Sequence, residues 1–99
     1  MFLEIITPEA VLFSSSNVDL VTVPGVNGEF QILNNHAPIV SILEKGLIKV
    51  IGSDIMINDV YHNKFDLKDN KYLLLIDDGI VETNTNSIVI LATLPTSIQ

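Results

Sequence analysis

The sequence predicts an all-β domain, an antiparallel sandwich or flattened barrel of short strands, and three observations predict it. Turn residues recur along the whole chain, at Pro24-Gly25, Asn27-Gly28, Asn34-Asn35, Gly46, Gly52-Ser53, Asp77-Asp78-Gly79 and Asn84 to Asn86. There Gly, Pro, Asn and Asp supply the backbone conformations that reverse a chain. The pieces between them are strand-length and rich in Val, Ile, Leu and aromatic residues. No window carries an apolar stripe at helical spacing, and, apart from the weakly patterned stretch between Ile51 and Tyr72, no neighbouring pieces are separated by a stretch long enough for a parallel crossover.

Taken in order, the expected strands are Phe2 to Ile6, Val11 to Phe13, Val18 to Val23, Glu29 to Leu33, Ile39 to Leu43 and Leu47 to Ile51. Tyr72 to Ile76, Ile80 to Glu82 and Ile88 to Ala92 follow. Val18 and Leu20 alternate with Asp19, and Ile48 and Val50 alternate with Leu47 and Lys49, so one face of each of these strands can be wet. Tyr72 to Ile76 and Ile88 to Leu91 are apolar on both faces, as a strand is when one side meets the core and the other meets a second protein. The pattern weakens between Asp54 and Asp69, where Ile55, Ile57, Val60 and Phe65 are the expected inward residues. Residues 1–94 read as one domain and residues 95–99 as a tail expected to fray.

The chain has 99 residues, the size of a single domain, and 47% of them are hydrophobic, well away from disordered compositions. Five lysines, no arginine and 12 acidic residues give a formal charge of −7, the wrong sign for neutralising phosphates or anionic lipid headgroups. Nucleic acid is therefore not an expected partner. There is no cysteine, hence no disulfide framework and no thiolate metal site. The opening Met1-Phe2-Leu3-Glu4-Ile5-Ile6 lacks the basic leader of a signal peptide, so no cleavage is expected. Apolar runs such as Tyr72 to Ile76 fall far short of the about 18 residues that cross a bilayer. Membrane association is expected only indirectly, through a partner.

Candidate chemistry is sparse. The loop Pro24-Gly25-Val26-Asn27-Gly28-Glu29 has two glycines but no following Lys-Ser/Thr and no following helix, so it reads as a turn between strands and not as a phosphate cradle. His36 and His62 are too few to hold a zinc ion, which needs three or four convergent ligands. A catalytic reading pairs His36 with Glu29 and one of Ser14, Ser15 or Ser16, yet no motif places a serine on a strained turn. Asp77 and Asp78, followed by Gly79, read as a β-turn.

One ordered stretch, Val21-Thr22-Val23-Pro24-Gly25-Val26-Asn27-Gly28-Glu29-Phe30-Gln31-Ile32-Leu33-Asn34-Asn35-His36-Ala37-Pro38-Ile39-Val40, resembles the epsilon-subunit family of rotary F-type ATP synthases. Its strand, Gly-Glu turn, second strand and His-Ala-Pro loop follow in the family's order. Leu3 to Glu9 with Leu12-Phe13, the segment around Lys45-Gly46, and Leu75 to Glu82 with Gly79-Ile80-Val81 look like the remaining strands. Gly52 to Lys71 resembles the family weakly.

The resemblance implies a sandwich of about ten short strands, here without the C-terminal helical hairpin of longer members. It implies a non-catalytic central-stalk subunit whose partners are the gamma subunit and the c-ring, coupling proton or sodium flow to ATP synthesis. By motif, Glu29 would meet the c-ring loops, His36, Ala37 and Pro38 would lie at the junction of ring and shaft, and Thr7 would approach the shaft. No cofactor, metal or nucleotide is expected. The implied location is peripheral, on the cytoplasmic side of a bacterial inner membrane. A β-sandwich adaptor unrelated to ATP synthase is the alternative reading of the same strands.

Overall fold

A computed structural model of the chain describes residues 1–57 and 59–95, without the side chains of residues 59, 60 and 62. The inward position expected for Val60, the ring of His62 and, beyond Pro95, the tail expected to fray lie outside the described residues. The strands are β1 (Phe2–Ile6), β2 (Val11–Ser15), β3 (Val18–Gly25), β4 (Gly28–Leu33), β5 (Val40–Leu43), β6 (Gly46–Gly52), β7 (Phe65–Lys68), β8 (Lys71–Ile76), β9 (Asp78–Thr83) and β10 (Ser87–Thr93). A 3-10 segment, Asp59–Lys64, precedes β7.

Hydrogen bonding links the ten strands into one curled sheet in the order β2-β1-β10-β9-β5-β3-β6-β8-β7, with β4 added on β3. The sheet folds into two halves, β2-β1-β10-β9-β5 and β4-β3-β6-β8-β7. They meet where Gly25 of β3 pairs with Leu43 of β5. The all-β sandwich expected from the sequence is the observed architecture.

Alternation decides what lies between the halves. On β10, Ile88, Ile90 and Ala92 are buried, and on β6 so are Ile48 and Val50, with Leu47 and Lys49 turned out. Leu3, Ile5, Val21, Val23, Ile32, Leu43, Leu74, Ile76 and Val81 complete the centre, and Phe13 and Phe65 meet at one side with ring centroids 6.0 Å apart. Each fully buried aliphatic side chain contributes about 1.5–3 kcal/mol relative to exposure. Ile55 and Ile57 pack against this core as expected.

Three details depart from the sequence pattern. Val18 pairs with Gly52 but Leu20 with Ile51, so a bulge at Asp19 resets the alternation and lets Val18, Val21 and Val23 all point inward. A Cβ on Gly52 would stand 2.3 Å from the Asn17 carbonyl oxygen, which is why glycine sits at that crossing. The strand β7 was not expected, because Asp66 and Lys68 interrupt its apolar signal and only Phe65 is buried.

The third departure concerns direction. β1 and β10 pair in parallel, Phe2 with Ser87 through Ile6 with Leu91, although every other pairing among the described residues is antiparallel. The ban on short parallel crossovers applies to strands that are neighbours in sequence. These two are joined by almost the entire chain, so it does not constrain them.

Ile90 and Leu91 are adjacent on β10 but face opposite ways, which gives a direct check of the register. Ile90→Ala should cost about 2–5 kcal/mol, read as a lower urea midpoint with an unchanged slope. Leu91→Ala should stay within about 0.5 kcal/mol of the parent. Equal losses at both positions would contradict the assignment of faces.

Candidate functional site

The hairpin between β3 and β4 is built by its glycines. Gly25 pairs with Gly28 across the two-residue loop Val26-Asn27, and Gly28 has φ 119°, a conformation that side chains disfavour. A Cβ on Gly25 would lie 2.8 Å from the Phe30 ring. Glu29 follows, opposite Pro24, and its carboxylate oxygen lies 3.4 Å from the Lys49 ammonium of β6. Both side chains are substantially exposed, 53% and 33%, so this ion pair contributes no more than about 1 kcal/mol. Its effect is to hold the carboxylate over the outer face of the sheet.

The loop from Asn34 to Ile39 leaves β4 at its other end. Asn35 takes φ 62°, the left-handed conformation that asparagine tolerates. The His36 ring is half-buried with Nδ1 3.0 Å from the Ala37 carbonyl oxygen, and Ala37 and Pro38 are exposed. The five residue steps from Glu29 to Asn34 cover about 17 Å at strand rise. Glu29 and His36 thus stand at opposite ends of the sandwich, and the catalytic pairing considered from the sequence is not formed.

Thr7 sits at the end of β1, 7% exposed. Its hydroxyl donates to the Ala10 carbonyl at 3.2 Å and accepts from the Ala10 amide at 3.3 Å, while the two backbones exchange bonds of 2.9 and 3.3 Å. Register places this turn at the same end as the Gly25–Gly28 hairpin, since Ile6 opposes Leu91, Gly79 opposes Leu43 and Leu43 opposes Gly25.

The outer face of the β2-β1-β10-β9-β5 half carries a continuous apolar feature. Ile42 opposes Ile80, Ile80 opposes Leu91, Leu91 opposes Ile6 and Ile6 opposes Val11, giving an unbroken apolar row across all its strands. Ile42 is 61% exposed and Leu91 51%. At about 4.8 Å between strands the row is about 19 Å long. Shallow hollows of about 340 Å³ lie on each side of Leu91, one lined by Ile6, Thr7 and Pro8, the other by Ile42, Gly79 and Ile80.

A family model described as "ATP synthase, Delta/Epsilon chain, beta-sandwich domain" matches residues 1–94. The chain belongs to this family. It is 30% identical over 95 residues to the ATP synthase epsilon chain of Rhodopseudomonas palustris (strain BisA53), covering 96% of this chain and 58% of that relative. It is 35% identical over 79 residues to the epsilon chain of Chlorobaculum tepidum, covering 77% of this chain and 88% of that one. The chain thus spans little more than half the length of the Rhodopseudomonas relative. Its fold is similar to that of a chain in the cryo-electron microscopy structure of the Tetrahymena thermophila mitochondrial ATP synthase central stalk and c-ring. There the TM-score is 0.71 at 15% identity, over 94% of this chain and 63% of that one. Family membership decides against an adaptor unrelated to ATP synthase.

In this epsilon-type sandwich, sequence reasoning missed the residue that fixes the His-Ala-Pro loop. The Thr83 hydroxyl, 2% exposed at the end of β9, accepts from the Ile39 amide at 2.9 Å and donates to the Ala37 carbonyl at 3.1 Å. The Thr83 amide also donates to the Ile39 carbonyl at 2.9 Å. Lys49 was legible only as a wet position on β6. Nothing in the sequence marked either residue as a partner of the loop or of Glu29, because each acts across strands distant along the chain.

Thr83→Val keeps the shape but leaves the Ile39 amide without its side-chain acceptor, at a cost of about 1–3 kcal/mol. Thr83→Ser should retain most of the stability. Thermal unfolding together with hydrogen exchange at Ile39 measures both, and a Val variant matching the parent would show that the hydroxyl is dispensable.

Proposed function

We propose that this epsilon-type sandwich is a non-catalytic rotor subunit of the central stalk of an F-type ATP synthase. It sits between the gamma shaft and the c-ring and passes rotation between them, so that proton or sodium flow is coupled to ATP synthesis. The observation that carries the reading is the uncovered row Ile42–Ile80–Leu91–Ile6–Val11 in a chain of this family. Apolar area removed from water contributes about 25 cal/mol per Å², whereas a wet ion pair adds at most about 1 kcal/mol. A link that transmits torque must therefore hold through buried area, and this row is where the sandwich offers it.

The row is assigned to the shaft. The hairpin end, with Glu29 held beside Lys49, is assigned to the polar loops of the ring. His36, Ala37 and Pro38 stand at the far end from that hairpin, so their proposed contact is with the shaft. Thr7 contributes by shaping the turn that closes the row. In this reading the protein is peripheral, on the cytoplasmic side of a bacterial inner membrane, and touches the membrane only through the ring. It takes no nucleotide.

Size-exclusion chromatography with light scattering, applied to the chain mixed with its cognate gamma subunit, tests the reading. A one-to-one complex is expected, and Leu91→Asp should weaken it at least about tenfold while leaving the melting temperature unchanged. Two separate peaks of two folded proteins would overturn the assignment of the row.

A further inference from the structure

The apolar row does not lie on a neutral face. On one side of it the next outward positions are Val40, Glu82, Val89, Glu4 and Ser14, each opposite the next across the strands. On the other side Asp78 opposes Thr93, and Glu44 is exposed just beyond β5. Carboxylates therefore border the row on both sides. The five lysines, Lys45, Lys49, Lys64, Lys68 and Lys71, all fall between the β5–β6 turn and the start of β8, and none lies on β1, β2, β5, β9 or β10. The net charge of −7 is thus unevenly spread.

Resting on the stalk reading above, we infer that the shaft surface covering this face is an apolar ridge flanked on both sides by Lys and Arg, and that this charge match sets the rate at which the two proteins find each other. The row and its hollows accept the ridge, with Leu91 entering between the partner's side chains. Glu4 and Glu82 on one flank, and Asp78 and Glu44 on the other, meet its cations. Complementary charge steers encounter more than it tightens the final complex, and the steering weakens with salt. A second copy of this chain brings the same carboxylates to the same place, so face-to-face pairing of two copies is disfavoured by like charge.

Association of the chain with its cognate gamma subunit, followed by stopped flow from about 50 mM to about 500 mM NaCl, tests the inference. The expected result is an association rate that falls at least about tenfold across that range. The double variant Asp78→Lys, Glu82→Lys should be slower by a similar factor at low salt and nearly insensitive to salt. Asp66→Lys, on β7 of the other half, should behave as the parent, with thermal melts confirming that every variant is folded. A rate that is flat with salt and unmoved by the double reversal would overturn the cationic flanks while leaving the stalk reading in place. Failure of the two folded parents to bind at all would overturn both. A parent homodimer in sedimentation that Leu91→Asp disrupts would show that the face takes a second copy instead.

Discussion

The fold depends on how one sheet doubles back on itself at the crossing of β3 and β5. Gly25 opposes Leu43 there, the Val26 amide donates to the Ile42 carbonyl at 3.2 Å, and the Glu44 amide donates to the Pro24 carbonyl at 2.9 Å. The approach is possible because side chains are missing. A Cβ on Gly46 would come within 2.7 Å of the Pro24 ring, and one on Gly25 would strike Phe30. At the other end the Val18 amide reaches the Met1 carbonyl at 3.3 Å, tying the start of β3 to the start of β1. Between these two corners the two halves face each other through side chains, and the inward set of Ile, Leu and Val fills the space that the corners define.

The same corner links core to surface. Val40 and Ile42 face outward on β5 because Leu43, one residue on, is the one buried at the crossing. Period-two alternation then makes Ile80, Leu91, Ile6 and Val11 outward as well, each opposite the last. The row is thus fixed by register, and shifting any strand by one residue would bury it and expose the core. Strands with apolar residues on both faces lose the usual safeguard against slipping. The flanking carboxylates restore a preferred outward side while keeping the uncovered face soluble.

Much of this was legible in the sequence. Runs such as Phe2 to Ile6 and Ile88 to Ala92, cut by Gly, Pro and Asn, gave strands at nearly their observed bounds, and the ordered Gly-Glu turn and His-Ala-Pro loop pointed to the family. The doubly apolar strands already suggested a partner. What escaped was whatever depends on residues distant along the chain. β7 carries too little apolar signal to be seen without β8 beside it. The bulge at Asp19, the grip of Thr83 on Ala37 and Ile39, and the Lys49–Glu29 pair each join separate strands. Glu29 and His36 look close in sequence, but the strand between them carries them to opposite ends.

The parallel pairing of β1 with β10 bears on how the sheet closes while the chain is being made. Of the strands in this sheet, the first to leave the ribosome has β2 on one side, but its other neighbour is the last of them to be made. β9 likewise waits for β10, so the middle of this half-sheet stays open until the last of the ten strands has emerged. Such long-range closure makes folding slow, and the open edges of Ile and Val are the kind that neighbouring nascent chains can pair with. A polysome making many copies of this chain therefore holds a row of nearly finished sheets, each missing the same strand.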